Sequence, residues 1–142
     1  MLNNILQEEQ EYLDNAFNLN ASSTFNLIKK VYTKMKIENN PIIINITSIS
    51  ANQIFRCSSA YTISKHAESI MSKILRRDLS DLGIRLTEIL PSTVNSYNDL
   101  NNKNSILPED IADLVYFMLS NSGNVNLNTV YISHTKEVPF LS

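Results

Sequence analysis

Apolar positions along the chain follow two periods. From about Asp14 to Met35 they recur every three or four residues, at Leu13, Phe17, Ala21, Phe25, Ile28, Tyr32 and Met35. That spacing predicts a helix with one apolar face. Glu8, Glu9 and Glu11 lie upstream, and Lys29, Lys30, Lys34 and Lys36 near the far end, as the helix dipole favours. Pro41 to Thr47 is different: Ile42, Ile43, Ile44 and Ile46 form a β-branched, nearly continuous run. Such a run predicts a strand covered on both faces, as in a parallel sheet. The helical period returns from about Ala60 to Leu82, with Ile63, Ala67, Ile70, Met71, Ile74, Leu75 and Leu79 as the apolar stripe. Gly83 follows as a left-handed cap. Ile84 to Leu90 predicts a second strand, ended by Pro91. Residues 92–105 are polar and rich in Asn, and predict a mobile loop. Pro108-Glu109-Asp110 opens a third helix with Ile111, Leu114, Val115, Met118 and Leu119 inward. Gly123 marks a turn before a third strand, Thr129 to Ile132. Helix and strand alternate throughout, which predicts one α/β layer of parallel strands joined by right-handed crossovers.

Composition limits the chemistry of that layer. The 142 residues contain two glycines, Gly83 and Gly123, so neither a GxGxxG turn, a Walker A loop nor a GxSxG elbow can be built. Net charge is −2, which offers no attraction to nucleic acid. The single Cys57 excludes an internal disulfide, and no cluster has zinc-ligand spacing. No apolar run is long enough for a membrane span. Met1 to Asn4 shows no signal-peptide pattern, so the chain is expected in the cytoplasm.

Tyr61 and Lys65 are candidates for chemistry. Four apart at a helix start, they share a face. An ammonium beside a phenol favours the phenolate and tunes Tyr61 for proton transfer near neutral pH. Taken alone, the pair reads equally as a surface contact. Ser48 stands thirteen residues before Tyr61, at the carboxyl end of the first strand, where α/β folds place ligands. Asn20 interrupts the first helix against its propensity. Exposure in an Asn-rich chain is the plain explanation.

Several motifs carry a resemblance in the same order. Ile43-Ile44-Asn45-Ile46-Thr47-Ser48 and Tyr61-Thr62-Ile63-Ser64-Lys65 resemble the serine strand and the tyrosine helix of the short-chain dehydrogenase/reductases. Asn20 falls where that family places a fourth catalytic residue. Leu82 to Pro91 and Pro108-Glu109-Asp110-Ile111-Ala112 are similar to its later units. The ending Asn124 to Thr129 looks most like the branch that oxidises short 3-hydroxy acids with NADP.

The resemblance implies a partial Rossmann-like, doubly wound fold. It also implies an NAD(P)-dependent interconversion of a carbonyl and a secondary alcohol. Tyr61 would protonate the carbonyl oxygen, or take the proton in reverse. Lys65 would lower the Tyr61 pKa and hold the nicotinamide ribose. Ser48 would polarise the carbonyl, and Asn20 would hold a water linking Lys65 to solvent. Pro91, Val94 and Ser96 would face the cofactor, NADP or NAD. The family's Pro-Gly is Pro91-Ser92 here, and its Gly-rich strand-turn-helix has no counterpart. The chain is therefore expected to be one C-terminal catalytic domain, 1–142, crippled or inactive by itself.

A homodimer or tetramer through the 14–35 and 61–82 helices is implied, and the edge of the strand around Ile43 is expected to be open. The alternative function is a non-catalytic oligomerising or regulatory module of the same descent. A sugar-nucleotide epimerase is disfavoured, because the C-terminal segment is too short for a substrate domain. His66 is expected at the surface or an interface, and His134 has no partner with metal or triad spacing. Cys57 reads as a free thiol, Met35, Met71 and Met118 as core, and Arg76-Arg77 as a solvated face.

Overall fold

A computed structural model of the chain describes residues 5–36, 39–55, 59–95, 104–121 and 123–137. The first helix is broken in register, not in direction. Helix α1 (Gln10–Phe17) runs into a π-helical turn, Asn18–Ser22, and continues as α2 (Ser23–Val31). Strand β1 (Ile42–Ile46), helix α3 (Ser59–Ser80), strand β2 (Arg85–Pro91), helix α4 (Pro108–Leu119) and strand β3 (Thr129–Ile132) follow. The three strands are parallel in the order β1-β2-β3. Ile42 pairs with Arg85 and Ile46 with Ile89; Glu88 pairs with Thr129 and Pro91 with Ile132. The expected order of elements is the observed one.

Burial separates the strands. From Leu86 to Pro91 the central strand β2 is buried, with Leu86 and Ile89 fully inaccessible. Strand β1 was expected to be covered on both faces, but it is mostly half-buried and Ile46 is exposed. It lies at the sheet edge, with its second hydrogen-bonding side unpaired among the described strands. The apolar core gathers Ile28 of α2, Leu79 of α3, and Ile84 and Leu86, with Tyr32, Met35, Ile43 and Leu75 around them.

Helix α3 reverses the expected facing over its first part, while Leu79 of the predicted stripe is buried in the core. Its inward residues from 60 to 72 are small or polar: Ala60, Thr62, Ser64, Lys65, Glu68, Ser69 and Ser72 are buried. Ile63, Ile70 and Ile74 of the apolar stripe are instead exposed. The sheet explains this, since it offers α3 polar groups that must be met once buried. Asn45 Nδ2 donates to Ser72 Oγ at 2.9 Å, and Ser69 Oγ donates to Glu88 Oε2 at 3.1 Å. An isoleucine at either serine would leave a buried polar group unpaired. The small side chains also bring the helix close to the strands.

Helix ends follow their sequence signals. Gly83 has φ 70, and Ile84 N–H donates to Leu79 O at 3.0 Å, closing α3 as a left-handed cap. Pro108 opens α4, whose Asp110 carboxylate accepts from Leu107 N–H at 2.8 Å. Met118 is the buried residue of α4, but Leu119, expected inward, is exposed. Val94 bridges Ile106 in parallel, which draws together the ends of the loop expected over 92–105. Its residues 96–103 lie outside the described residues, as does Cys57.

Candidate functional site

Ser48, Pro91 and Val94 stand at or just beyond the carboxyl ends of β1 and β2. Ser48 follows β1 in extended backbone, φ −168, and starts the 3-10 turn Ile49–Ala51. Its Oγ accepts from Ser50 N–H at 3.1 Å. The bond uses an acceptor lone pair and leaves the Ser48 proton free to donate to a ligand oxygen. The turn packs against α3. Pro91 ends β2, and Ser92 N–H donates to Ile132 O at 2.9 Å. Ser92 Oγ is buried without a partner among the described residues. Val94 sits two residues on, in the bridge to Ile106. Ser96 lies outside the described residues.

Tyr61 is half-buried in the first turn of α3. Glu8 from the N-terminal segment caps that turn, its Oε2 accepting from Ala60 N–H at 3.1 Å. The sequence had placed Glu8 at the start of the first helix, and a carboxylate 52 residues upstream gives no local sign of this contact. Lys65 lies one turn on, with Nζ 5.8 Å from the centroid of the Tyr61 ring. The expected pairing of the two side chains on one face is present.

The Lys65 ammonium also meets a second group. Glu68 Oε2 lies 2.7 Å from Nζ, and both side chains are almost inaccessible. Thr24 Oγ1 donates to the other carboxylate oxygen at 3.1 Å. Glu68 was not singled out in the sequence, although its spacing of three from Lys65 allows the contact. One of three ammonium donors is thereby committed to an internal carboxylate, and two remain.

Asn20 occupies the middle of the π-helical turn, in which Ser23 N–H reaches Asn18 O. Single π turns inside helices are frequent at functional sites, because the extra residue redirects a side chain. Asn20 Nδ2 donates to Ser64 Oγ at 2.9 Å, and Ser64 Oγ donates to Tyr61 O at 2.8 Å. Asn20 thus reaches the Tyr61 backbone through a serine.

His66 is half-buried, its Nδ1 2.9 Å from Thr62 O. No group of three His, Cys, Asp or Glu suited to a metal occurs among the described residues. No helix there is long and apolar enough to cross a membrane.

A family model described as short chain dehydrogenase matches residues 2–105. An uncharacterized oxidoreductase of Staphylococcus haemolyticus is 26% identical over 132 residues, covering 90% of this chain and 57% of that protein. One from Staphylococcus saprophyticus is 28% identical, with 90% and 56% covered. Among solved structures, an alcohol dehydrogenase from the archaeon Thermococcus sibiricus, complexed with 5-hydroxy-NADP, superposes with a TM-score of 0.83. Identity there is 14%, covering 97% of this chain and 60% of that one. Serine dehydrogenase from Escherichia coli gives 0.82 at 22% identity, with 96% and 60% covered. The chain spans little more than half the length of the curated relatives it matches.

Proposed function

The chain belongs to the short-chain dehydrogenase family, and on that premise we propose that it carries the catalytic residues of an NAD(P)-dependent oxidoreductase. The substrate would be a small carbonyl compound or secondary alcohol. The observation that carries this reading is the placement of Lys65 Nζ against the Tyr61 ring, on the helix that packs against the turn begun by Ser48. Those groups suit acid–base work at a carbonyl oxygen. In the reductive direction the Tyr61 hydroxyl gives its proton to the oxygen. The free Ser48 proton donates a hydrogen bond to the same oxygen and stabilises the charge developing there. Lys65 retains two donors after Glu68, one for Tyr61 or a ribose hydroxyl. Asn20 holds the first turn of α3 in place through Ser64.

The nicotinamide would supply or accept the hydride. Its fit is one-sided. The unpartnered Ser92 hydroxyl beside Pro91, together with Lys65 and Val94, suits the nicotinamide ribose end. No Gly-rich turn stands in these 142 residues to cradle the pyrophosphate. That last observation favours a second reading, a non-catalytic oligomerising or regulatory module. Titration of the chain with NADPH and NADH, followed by nicotinamide fluorescence, separates them. Micromolar binding would support the catalytic reading; no binding at millimolar cofactor leaves the second.

The outward stripe of α3 supports a homo-oligomer. Phe25, Ala67, Ile70, Met71, Ile74 and Leu75 line one apolar groove across α2 and α3. A second copy packing there would cover side chains that solvent now wets. Ile70→Asp/Ile74→Asp is expected to convert a dimer or tetramer into monomer. Sedimentation equilibrium checks it, and an unchanged mass would exclude this face as the contact.

A further inference from the structure

We propose that the cavity at the amino end of β2 binds the phosphate group of a small molecule. This end of the sheet is opposite to Ser48 and Ser92. The cavity holds about 470 Å³, within the range that admits a small ligand. Lys73, Arg76 and Arg77 of α3 and Arg85 of β2 line it, with no carboxylate among its lining residues. The chain has only four arginines and a net charge of −2, yet three of the four meet here.

Their internal partners leave charge over. Arg76 Nε donates to Leu86 O at 2.9 Å, and its Nη2 to Asn128 O and Thr129 Oγ1. Arg85 donates to Val125 O and Asn40 O, both at 3.3 Å, and its Nε is buried without an acceptor among the described residues. All of those acceptors are neutral. The cations near the end of α3 also complement its dipole, but that effect is a fraction of a charge. Among the described residues, two carboxylates act on the cluster. Asp78 pairs with Arg77 at 2.9 Å on the exposed surface; burial holds the Arg76 guanidinium pKa below its usual value, and buried Glu88 offsets part of that desolvation. Among the described residues, four cations against two carboxylates leave the charge of a phosphate dianion unanswered.

Arginine forks and a lysine around a concave floor suit phosphate oxygens approached from several directions. Ile84 and Leu86 supply apolar lining, and Ser80 adds a hydroxyl for the rest of a ligand, while the Asn126 amide is bonded to Leu86 O, Asn128 Oδ1 and Thr87 Oγ1. The expectation of a solvated Arg76-Arg77 face holds for Arg77 alone, since Arg76 is tied to the sheet.

Lys73 and Arg77 test the site without disturbing the fold. Arg77 pairs only with its exposed neighbour, and Lys73 has no partner among the described residues. The 142-residue chain is titrated at constant ionic strength with inorganic phosphate and, separately, a sugar monophosphate, by calorimetry and amide NMR. Saturable binding at one site per chain is expected, with shifts at Ser80 and Asn126. Tighter binding of the sugar phosphate would identify an organic ligand, and equal binding the free ion; either supports the site. Lys73→Gln/Arg77→Gln should weaken binding by at least about tenfold at unchanged melting temperature, since each charge-assisted bond contributes more than its neutral counterpart. No saturation, or unchanged affinity in the folded double variant, overturns the proposal.

Discussion

Lys65→Met is expected to destabilise the chain by about 3–5 kcal/mol, the usual consequence of stranding one member of a buried ion pair. Glu68 makes the loss large. Its side chain is 3% exposed and its Oε2 lies 2.7 Å from Nζ. Thr24 Oγ1 is the other group bonded to its carboxylate among the described residues. Without the ammonium, a carboxylate would remain buried with one hydroxyl bond, far short of what it loses from water. Lys65→Met/Glu68→Leu should recover most of the stability, because replacing both ions with apolar groups is often neutral. Urea unfolding followed by circular dichroism measures both variants. A Lys65→Met chain within about 1 kcal/mol of the parent would show that the pair behaves as a solvated surface contact. The lysine read from the sequence as a catalytic group thus also holds the interior together.

What the sequence disclosed depends on how local each signal is. Strand β3 was predicted with its observed bounds, and β1 and β2 to within a residue at each end. Their β-branched runs, and the Gly83 and Pro108 boundaries, are written within a few residues. The facing of α3 is not local. Ile63, Ile70 and Ile74 share a helical stripe, but Asn45 and Glu88 on the strands decide which face turns inward. The π turn at Asn20 left a weak trace in the equal spacings of four from Leu13 to Phe25. Each such step overshoots an α-helical turn by roughly 40°, which an added residue relieves. Tyr61, Lys65 and Ser48 were legible because their spacing spans one strand and one helix start. Glu68 was hidden because it resembles any exposed helix glutamate until Thr24 is brought against it. The cationic cavity leaves no local pattern in the sequence, because the end of α3 and Gly83 separate Arg85 from Arg76.

In a preparation that binds NADPH and reduces a small ketone, Tyr61→Phe should lower the rate by about 10²–10⁴-fold, the range for removing a positioned general acid. The substitution deletes one oxygen from a half-buried ring. No hydrogen bond from the Tyr61 hydroxyl ties it to the fold among the described residues. Melting temperature and oligomeric mass should therefore stay at parental values, which separates lost chemistry from lost structure. Ser48→Ala gives a less clean comparison. Its Oγ accepts from Ser50 N–H, so the variant loses a cap of about 1 kcal/mol as well as a donor to substrate oxygen. Ser48→Thr keeps the hydroxyl and should recover part of the rate. The rate loss in Tyr61→Phe should fall on kcat more than on KM, because the proton moves in the transition state and not on binding. A phenylalanine variant as fast as its parent would remove Tyr61 from the reaction. The nicotinamide titration, performed on the same preparation, would then show whether the chain still binds a cofactor that another group serves.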